Sequence, residues 1–201
     1  ENLKAYWKNG EKTIEQAIEE ALTEYDLLLA RCNDFSCKLQ KKATEMGSEK
    51  YADMLLLSLR QVMAAHKLVV DNKGNNLYIS KECFSNGCAA TVDVSYPSIP
   101  LFLLYNPELV KGMARPIFKY AESEAWPFDF APHDAGQYPL VNGQVYGNNA
   151  LHMQMPVEEC GNMLVMVTTT AIAEKDISFA EAHWDTLSDW VKYLLRYGED
   201  P

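Results

Sequence analysis

Apolar residues recur at helical spacing through most of this chain. Ile14, Ala17, Ile18, Ala21, Leu22, Tyr25, Leu28 and Leu29 share one stripe, while Glu15, Glu19, Glu20 and Glu24 lie off it. Thr13 and Gln16 have the spacing of a capping box, which places the first helix start there. Asn33-Asp34 predicts a break, followed by a shorter helix carrying Phe35, Leu39, Ala43 and Met46. Gly47 ends that helix, and Ser48 caps a third one bearing Ala52, Leu55, Leu56, Leu59, Val62 and Met63.

The period then changes. Leu68-Val69-Val70 and Leu77-Tyr78-Ile79, separated by Asp71-Asn72-Lys73-Gly74-Asn75-Asn76, predict a small β-hairpin. Residues 81–105 read as loop with short extended pieces. Asn106 and Pro107 form a helix start, and Pro116 predicts a break or restart within that helix. Residues 125–155 are rich in Pro, Gly, Asn and rings, including Trp126, Phe128, Phe130, His133, Tyr138 and Tyr146. A loop of that length inside a domain is functional or disordered, and the aromatic content argues for order. Two helices close the pattern, one from Pro156 and one from Ser178, where Glu181 completes a second capping box and Gly198 ends the run. The whole reads as one mainly α domain over 1–201, an array of antiparallel helical hairpins with six or seven helices and one small β-hairpin.

Composition narrows the function. A 48% hydrophobic content supports a sizeable core. A net charge of −10 argues against nucleic acid and anionic membranes, because nothing would neutralise phosphates. No apolar run approaches the ~20 residues that span a bilayer. The five cysteines, Cys32, Cys37, Cys83, Cys88 and Cys160, cannot all pair within one chain, and no His flanks them at zinc-finger spacing. They read as unpaired and structural. No nucleotide loop, Gly-x-Ser-x-Gly elbow or His-x-Glu signature is present, so no cofactor and no metal is expected.

The candidate chemistry lies in three stretches. Glu158 and Glu159 follow Pro156 at a helix start, where acids also gain from the helix dipole. Adjacent helical residues point about 100° apart, so the two cannot face one substrate atom together. One faces a site while the other anchors a loop or pairs with a cation. His133 and Asp134 sit in the long loop, and His133 has the near-neutral pKa of a general acid or base. Asp93, between Val92 and Val94 in a piece that reads as extended, is the further carboxylate. Asp93, His133, Asp134, Glu158 and Glu159 are therefore the catalytic candidates. Asn162, four residues after Glu158, joins Tyr96, Tyr138 and Trp126 as a candidate substrate contact. Asp93, His133, Asp134, Glu158 and Asn162 are expected to converge on one cleft. His66 and His183 read as structural or exposed, His152 as a possible neighbour of that cleft, and Ser95 and Ser98 as weak candidates for a nucleophile.

Phe84-Ser85-Asn86-Gly87, Thr91-Val92-Asp93-Val94-Ser95-Tyr96-Pro97-Ser98, the His133-Asp134…Gly136…Tyr138-Pro139 loop and Met155–Asn162 together resemble the glutaminase A family of fungal secreted glutaminases and related bacterial proteins. The resemblance runs from about Tyr51 to Tyr197. It implies an α/α toroid of the six-hairpin glycosidase kind, here partial, in a longer parent with a β-rich domain before this segment and more helices after it. It implies hydrolysis of the side-chain amide of L-glutamine, and a secreted or periplasmic location. The other readings are a glycoside hydrolase, in which the ring-rich loop stacks sugars and carboxylates cleave the bond, and a non-catalytic interaction domain. The expected partners are a small substrate, glutamine or sugar, and the missing domains of the parent. With hairpins missing, the isolated chain is expected to turn over little and to self-associate through uncovered apolar faces.

Overall fold

The computed structural model describes residues 3–8, 10, 12–82, 86–144 and 150–199. Cys83, Phe84, Ser85 and Tyr146 lie outside the described residues. The chain divides into two compact units, one spanning Lys4–Ala65 and the other running from His66 onward.

The first unit opens with a two-residue strand β1 (Lys4–Ala5) and a 3-10 turn, Tyr6–Lys8. The expected capping box starts α1 (Ile14–Thr23): Gln16 N donates to Thr13 Oγ1 at 3.3 Å and Thr13 N donates to Gln16 Oε1 at 2.9 Å. α2 (Tyr25–Met46) follows after Glu24 and runs straight through Asn33-Asp34, where a break was expected. Asn and Asp cost only a few tenths of a kcal/mol more than good helix formers in mid-helix. The Asp34–Lys38 pair, 2.6 Å apart one turn on, offsets part of that cost. Ser48 Oγ accepts from Tyr51 N at 3.2 Å and starts α3 (Glu49–Ala65), which packs on α2. Little of this unit is buried. Ala43 and Ala52 are, whereas Ile14, Ile18 and Leu22 of the α1 stripe are exposed.

The second unit holds the larger core. The hairpin forms as expected, slightly longer than predicted, with β2 (His66–Val70) antiparallel to β3 (Asn76–Ser80) in the register His66↔Ser80 to Val70↔Asn76. Asp71 builds its turn by accepting from Lys73 N and Asn75 N, each at 2.8 Å, and Gly74 supplies the left-handed φ of +84°. His66 opens β2 and is buried, stacked on Tyr78 with centroids 4.6 Å apart.

Residues 81–105 are not the loop the sequence suggested. They contain α4 (Val92–Ser95), a 3-10 turn over Tyr96–Ser98, and α5 (Ile99–Tyr105) with Pro100 in its first turn. Asp93 is therefore helical rather than extended. α6 (Pro107–Ala121) likewise continues through Pro116. Eight of its residues are buried, Pro116 among them, and it packs along β3. That burial outweighs a lost backbone bond worth about 3 kcal/mol. Gly112 allows the close approach: a Cβ there would meet Tyr78 N at 3.0 Å and Asn76 O at 3.3 Å. Arg115 then donates to Asn76 O at 2.7 Å.

α7 (Pro156–Glu174) crosses the centre of the unit, packing on α4, α5, α6 and on α9 (Trp184–Tyr197). Its buried residues, Glu159, Cys160, Met163, Met166, Val167 and Thr170, lie on one face. The last helical run is split into α8 (Ser178–Ala182) and α9 at His183. The expected Ser178–Glu181 capping box is absent. Ser178 Oγ pairs with Asp176 Oδ2 at 3.0 Å instead, and Glu181 N donates to Ile177 O. The fold is thus mainly helical with a small antiparallel sheet. No helix among the described residues is long and apolar enough to cross a membrane.

Candidate active site

One loop is held between two layers of the second unit. On one side Ala89 N donates to Gly136 O at 2.7 Å, Ala135 N to Ala89 O at 3.1 Å, and Val92 N to His133 O at 2.9 Å. On the other, Ala131 N donates to Cys160 Sγ at 3.3 Å and His133 N to Gln154 Oε1 at 3.2 Å. Loop, α4 and the first turn of α7 therefore share a hydrogen-bond frame. Three side chains meet inside it.

They are Asp93 from α4, His133 from the loop and Glu159 from α7, with one potential donor atom of each lying within 4.8 Å of the others. His133 Nε2 lies 3.6 Å from Asp93 Oδ1. Its Nδ1 lies 2.8 Å from Asp134 Oδ2, and Asp134 Oδ1 accepts from Gly136 N at 2.7 Å. Asp134 is 1% exposed, so the imidazole is anchored to a buried carboxylate that is itself held by backbone. Because Asp134 accepts there, Nδ1 carries the proton and Nε2 is the face turned to Asp93 and Glu159.

Glu159 is the unusual member. It is fully buried, Asn162 Nδ2 donates to its Oε2 at 3.3 Å, and Oε1 accepts no hydrogen bond among the described residues. Asp93 Oδ1 is also buried without a hydrogen-bond donor. Two carboxylates this close repel by roughly 3–4 kcal/mol at the effective dielectric of a protein site. Burial first, and then the Asp93 charge, push the Glu159 carboxyl up to about 8. Burial acts to lower His133, but the Asp134 hydrogen bond and the charges of Asp134, Glu159 and Asp93 outweigh it and hold the imidazole above its usual value. Ordinary packing gains nothing from such a cluster, and perturbed carboxylates of this kind concentrate at functional sites.

A family model for the glutaminase A six helical-hairpin domain matches residues 48–201. The chain belongs to that glutaminase A family. It is 33% identical over 195 residues to glutaminase A of Aspergillus oryzae, covering 96% of this chain and 28% of that protein. It is 32% identical over 165 residues to a probable glutaminase of Arthroderma benhamiae, covering 82% of this chain and 19% of that protein. The chain thus spans less than a third of the length of these relatives.

The other candidates of this glutaminase A domain are placed as follows. Glu158 is exposed, so of the adjacent pair it is Glu159 that turns into the cluster. Asn162 reaches the cluster through Glu159. Trp126 is buried, donates from Nε1 to Phe130 O at 2.8 Å, and packs among Tyr120, Phe128 and Phe130. Tyr96 is half-buried in the 3-10 turn, and Tyr138 is exposed beneath Lys81, whose Nζ lies 5.6 Å from its ring centre. Ser95 Oγ donates to Ser80 Oγ at 3.0 Å and Ser98 Oγ to Ser95 O at 2.7 Å, so both hydroxyl protons are engaged in structural bonds. His152 is exposed, and His183 stacks on Phe118.

Sequence reasoning missed two supporting residues. Gln154 is buried, holds His133 N, and exchanges amide hydrogen bonds with Gln144 at 3.0 and 2.5 Å. Its position between Met153 and Met155, a polar residue in an apolar run, was the available signal. Cys88 is buried and forms a second close group with His133 and Asp134.

Gly136 fixes the geometry of this loop. Its φ is +110°, and a Cβ would lie 2.3 Å from Gly143 O. Gly136→Ala is expected to cost at least about 1–3 kcal/mol from the backbone alone, with the clash adding to it. Urea denaturation measures this directly, and an unchanged midpoint would show that the loop is not constrained as described.

Proposed function

We propose that the full-length protein hydrolyses the side-chain amide of L-glutamine, and that the Asp93–His133–Glu159 cluster is where water is activated. The convergence of these three residues, with His133 oriented by Asp134, is the observation that carries the reading. The names of the relatives, glutaminase A and probable glutaminase, suggest the substrate class. Asp93 is the most exposed of the three, with 32% of its side chain accessible. It takes a proton from water as the water oxygen attacks the amide carbon. The proton passes to the amide nitrogen, the C–N bond breaks, and ammonia leaves glutamate behind. His133 faces the same point through Nε2 and, when protonated there, stabilises the negative charge that develops. A positioned acid or base contributes roughly 10²–10⁴-fold.

One observation favours a second reading. The Asp93 and Glu159 oxygens lie within 4.8 Å of each other. Retaining glycosidases place their two carboxyl groups about 5–5.5 Å apart. Assaying the full-length protein for ammonia release from glutamine and asparagine, beside a panel of aryl glycosides, separates the two. Ammonia from glutamine with no glycoside turnover is the expected result. Glycoside turnover without ammonia release would replace the amidase reading with the glycosidase one.

A further inference from the structure

Glu159 Oε1 and Asp93 Oδ1 are both buried, and neither receives a hydrogen bond among the described residues. The neighbour that could serve them is His133, but its proton is committed to Asp134 at Nδ1. Nε2 therefore turns a lone pair, or an added proton, toward Asp93 Oδ1 at 3.6 Å. Two carboxylates with a buried unpartnered oxygen each, and an imidazole nitrogen, converge to within 4.8 Å of one another, which is the donor set of a cation site. We propose that Asp93, His133 and Glu159 form a binding site for one divalent transition-metal cation of the Zn²⁺ or Mn²⁺ class.

The geometry supports this in three ways. Donors on a tetrahedral ion at about 2.0–2.2 Å sit about 3.3–3.6 Å apart, and the His133–Asp93 separation is 3.6 Å. No pair of donor atoms is more than 4.8 Å apart, so the third ligand closes by about 1 Å through its own χ angles. The Asp134–His133 bond is the carboxylate–histidine support that fixes the tautomer of a metal-bound imidazole and leaves Nε2 free for the ion. A single imidazole with two carboxylates suits Zn²⁺ or Mn²⁺ better than the oxygen-only sites of Ca²⁺ and Mg²⁺. Three protein ligands leave a coordination position for water or substrate.

The other close group, Cys88 with His133 and Asp134, is the weaker candidate. Its histidine would have to use Nδ1, and both Asp134 oxygens already accept hydrogen bonds. The Asp93 group has an unpartnered buried oxygen on each carboxylate. The site stands on ligand geometry whether the substrate is an amide or a glycoside; with the cation bound Asp93 would serve as its ligand rather than as the base, and only the use of the site in amide hydrolysis rests on the function proposed above.

Titration of the chelator-stripped full-length protein with Zn²⁺, Mn²⁺, Mg²⁺ and Ca²⁺ by calorimetry tests the site without reference to activity. The expected result is one equivalent of Zn²⁺ or Mn²⁺ bound far more tightly than Mg²⁺ or Ca²⁺. D93N and E159Q should each weaken that binding at least 100-fold, D134N about 10–100-fold, and C88S not at all. Circular dichroism of the stripped variants checks that they are folded. If E159Q does not fold, D93N on the more accessible residue still decides. No saturable binding to the folded wild type overturns the proposal, as does binding that survives D93N or is lost in C88S.

Discussion

Asp93→Asn in the full-length protein is expected to lower kcat/KM for glutamine by roughly 10²–10⁴-fold while leaving the melting temperature of the chelator-stripped protein unchanged or slightly raised. The two readouts follow from the same geometry. Asn keeps the volume of Asp and removes the charge. Asp93 Oδ1 accepts no hydrogen bond among the described residues, so the fold loses little by the exchange. Neutralising it also relieves the repulsion with Glu159, whose donor oxygen lies within 4.8 Å. A carboxylate that served packing would behave the other way, lowering stability and activity together. Turnover within threefold of wild type would remove Asp93 from the chemistry. A fall in activity that tracks a fall in melting temperature would make it a structural residue.

Much of this cluster was legible as chemistry before it was visible as geometry. Asp93, His133, Asp134 and Glu159 each stood out as polar groups where packing did not call for them. Helix geometry also required that only one of Glu158 and Glu159 face inward. Which one depends on how α7 is rotated against the core. That information was present, since Glu159 lies one turn before Met163 and two before Met166, on the buried stripe that ends at Thr170. Glu158 shares its face with Asn162 instead, and the motif drew attention to that pair first. Gln154 carried a signal as a polar residue in an apolar run, but its role was not legible, because it holds backbone at His133, twenty-one residues away in sequence.

The fold was legible where local signals were strong and misleading where packing decided. The Thr13–Gln16 capping box and the Asp71-to-Asn76 turn are short-range chemistry, and both formed as read. Residues 81–105 read as loop, yet Pro100 occupies the first turn of α5, a position proline favours. Pro116 reads as a breaker, but it sits on a face buried in the core, where the gain from burial exceeds the local cost. The breaker reading of Pro116 assigns to the residue alone what its position in the element determines.

Phe118→Ala should be the most damaging core substitution in the second unit, costing about 3–5 kcal/mol. The ring is fully buried on α6 and stacks on both His183 and Trp190, with centroids 3.9 and 5.2 Å away and interplanar angles of 7° and 14°. Phe179 closes a third side edge-on at 5.8 Å. The neighbours cannot collapse into the space the ring leaves. Trp190 is itself buried on α9, and His183 is tied through Nδ1 to Glu122, 2.7 Å away at the end of α6. The cavity therefore persists, and the contacts joining α6 to α8 and α9 are lost with the ring. A loss of that size lowers the melting temperature of a domain of this length by roughly 6–20 °C. Leu195→Ala is the matched control: it lies on α9 but is 77% exposed, so its effect should stay within about 0.5 kcal/mol. Equal destabilisation by the two substitutions, measured by urea unfolding of the same protein, would mean that the Phe118 stack does not join these helices as described.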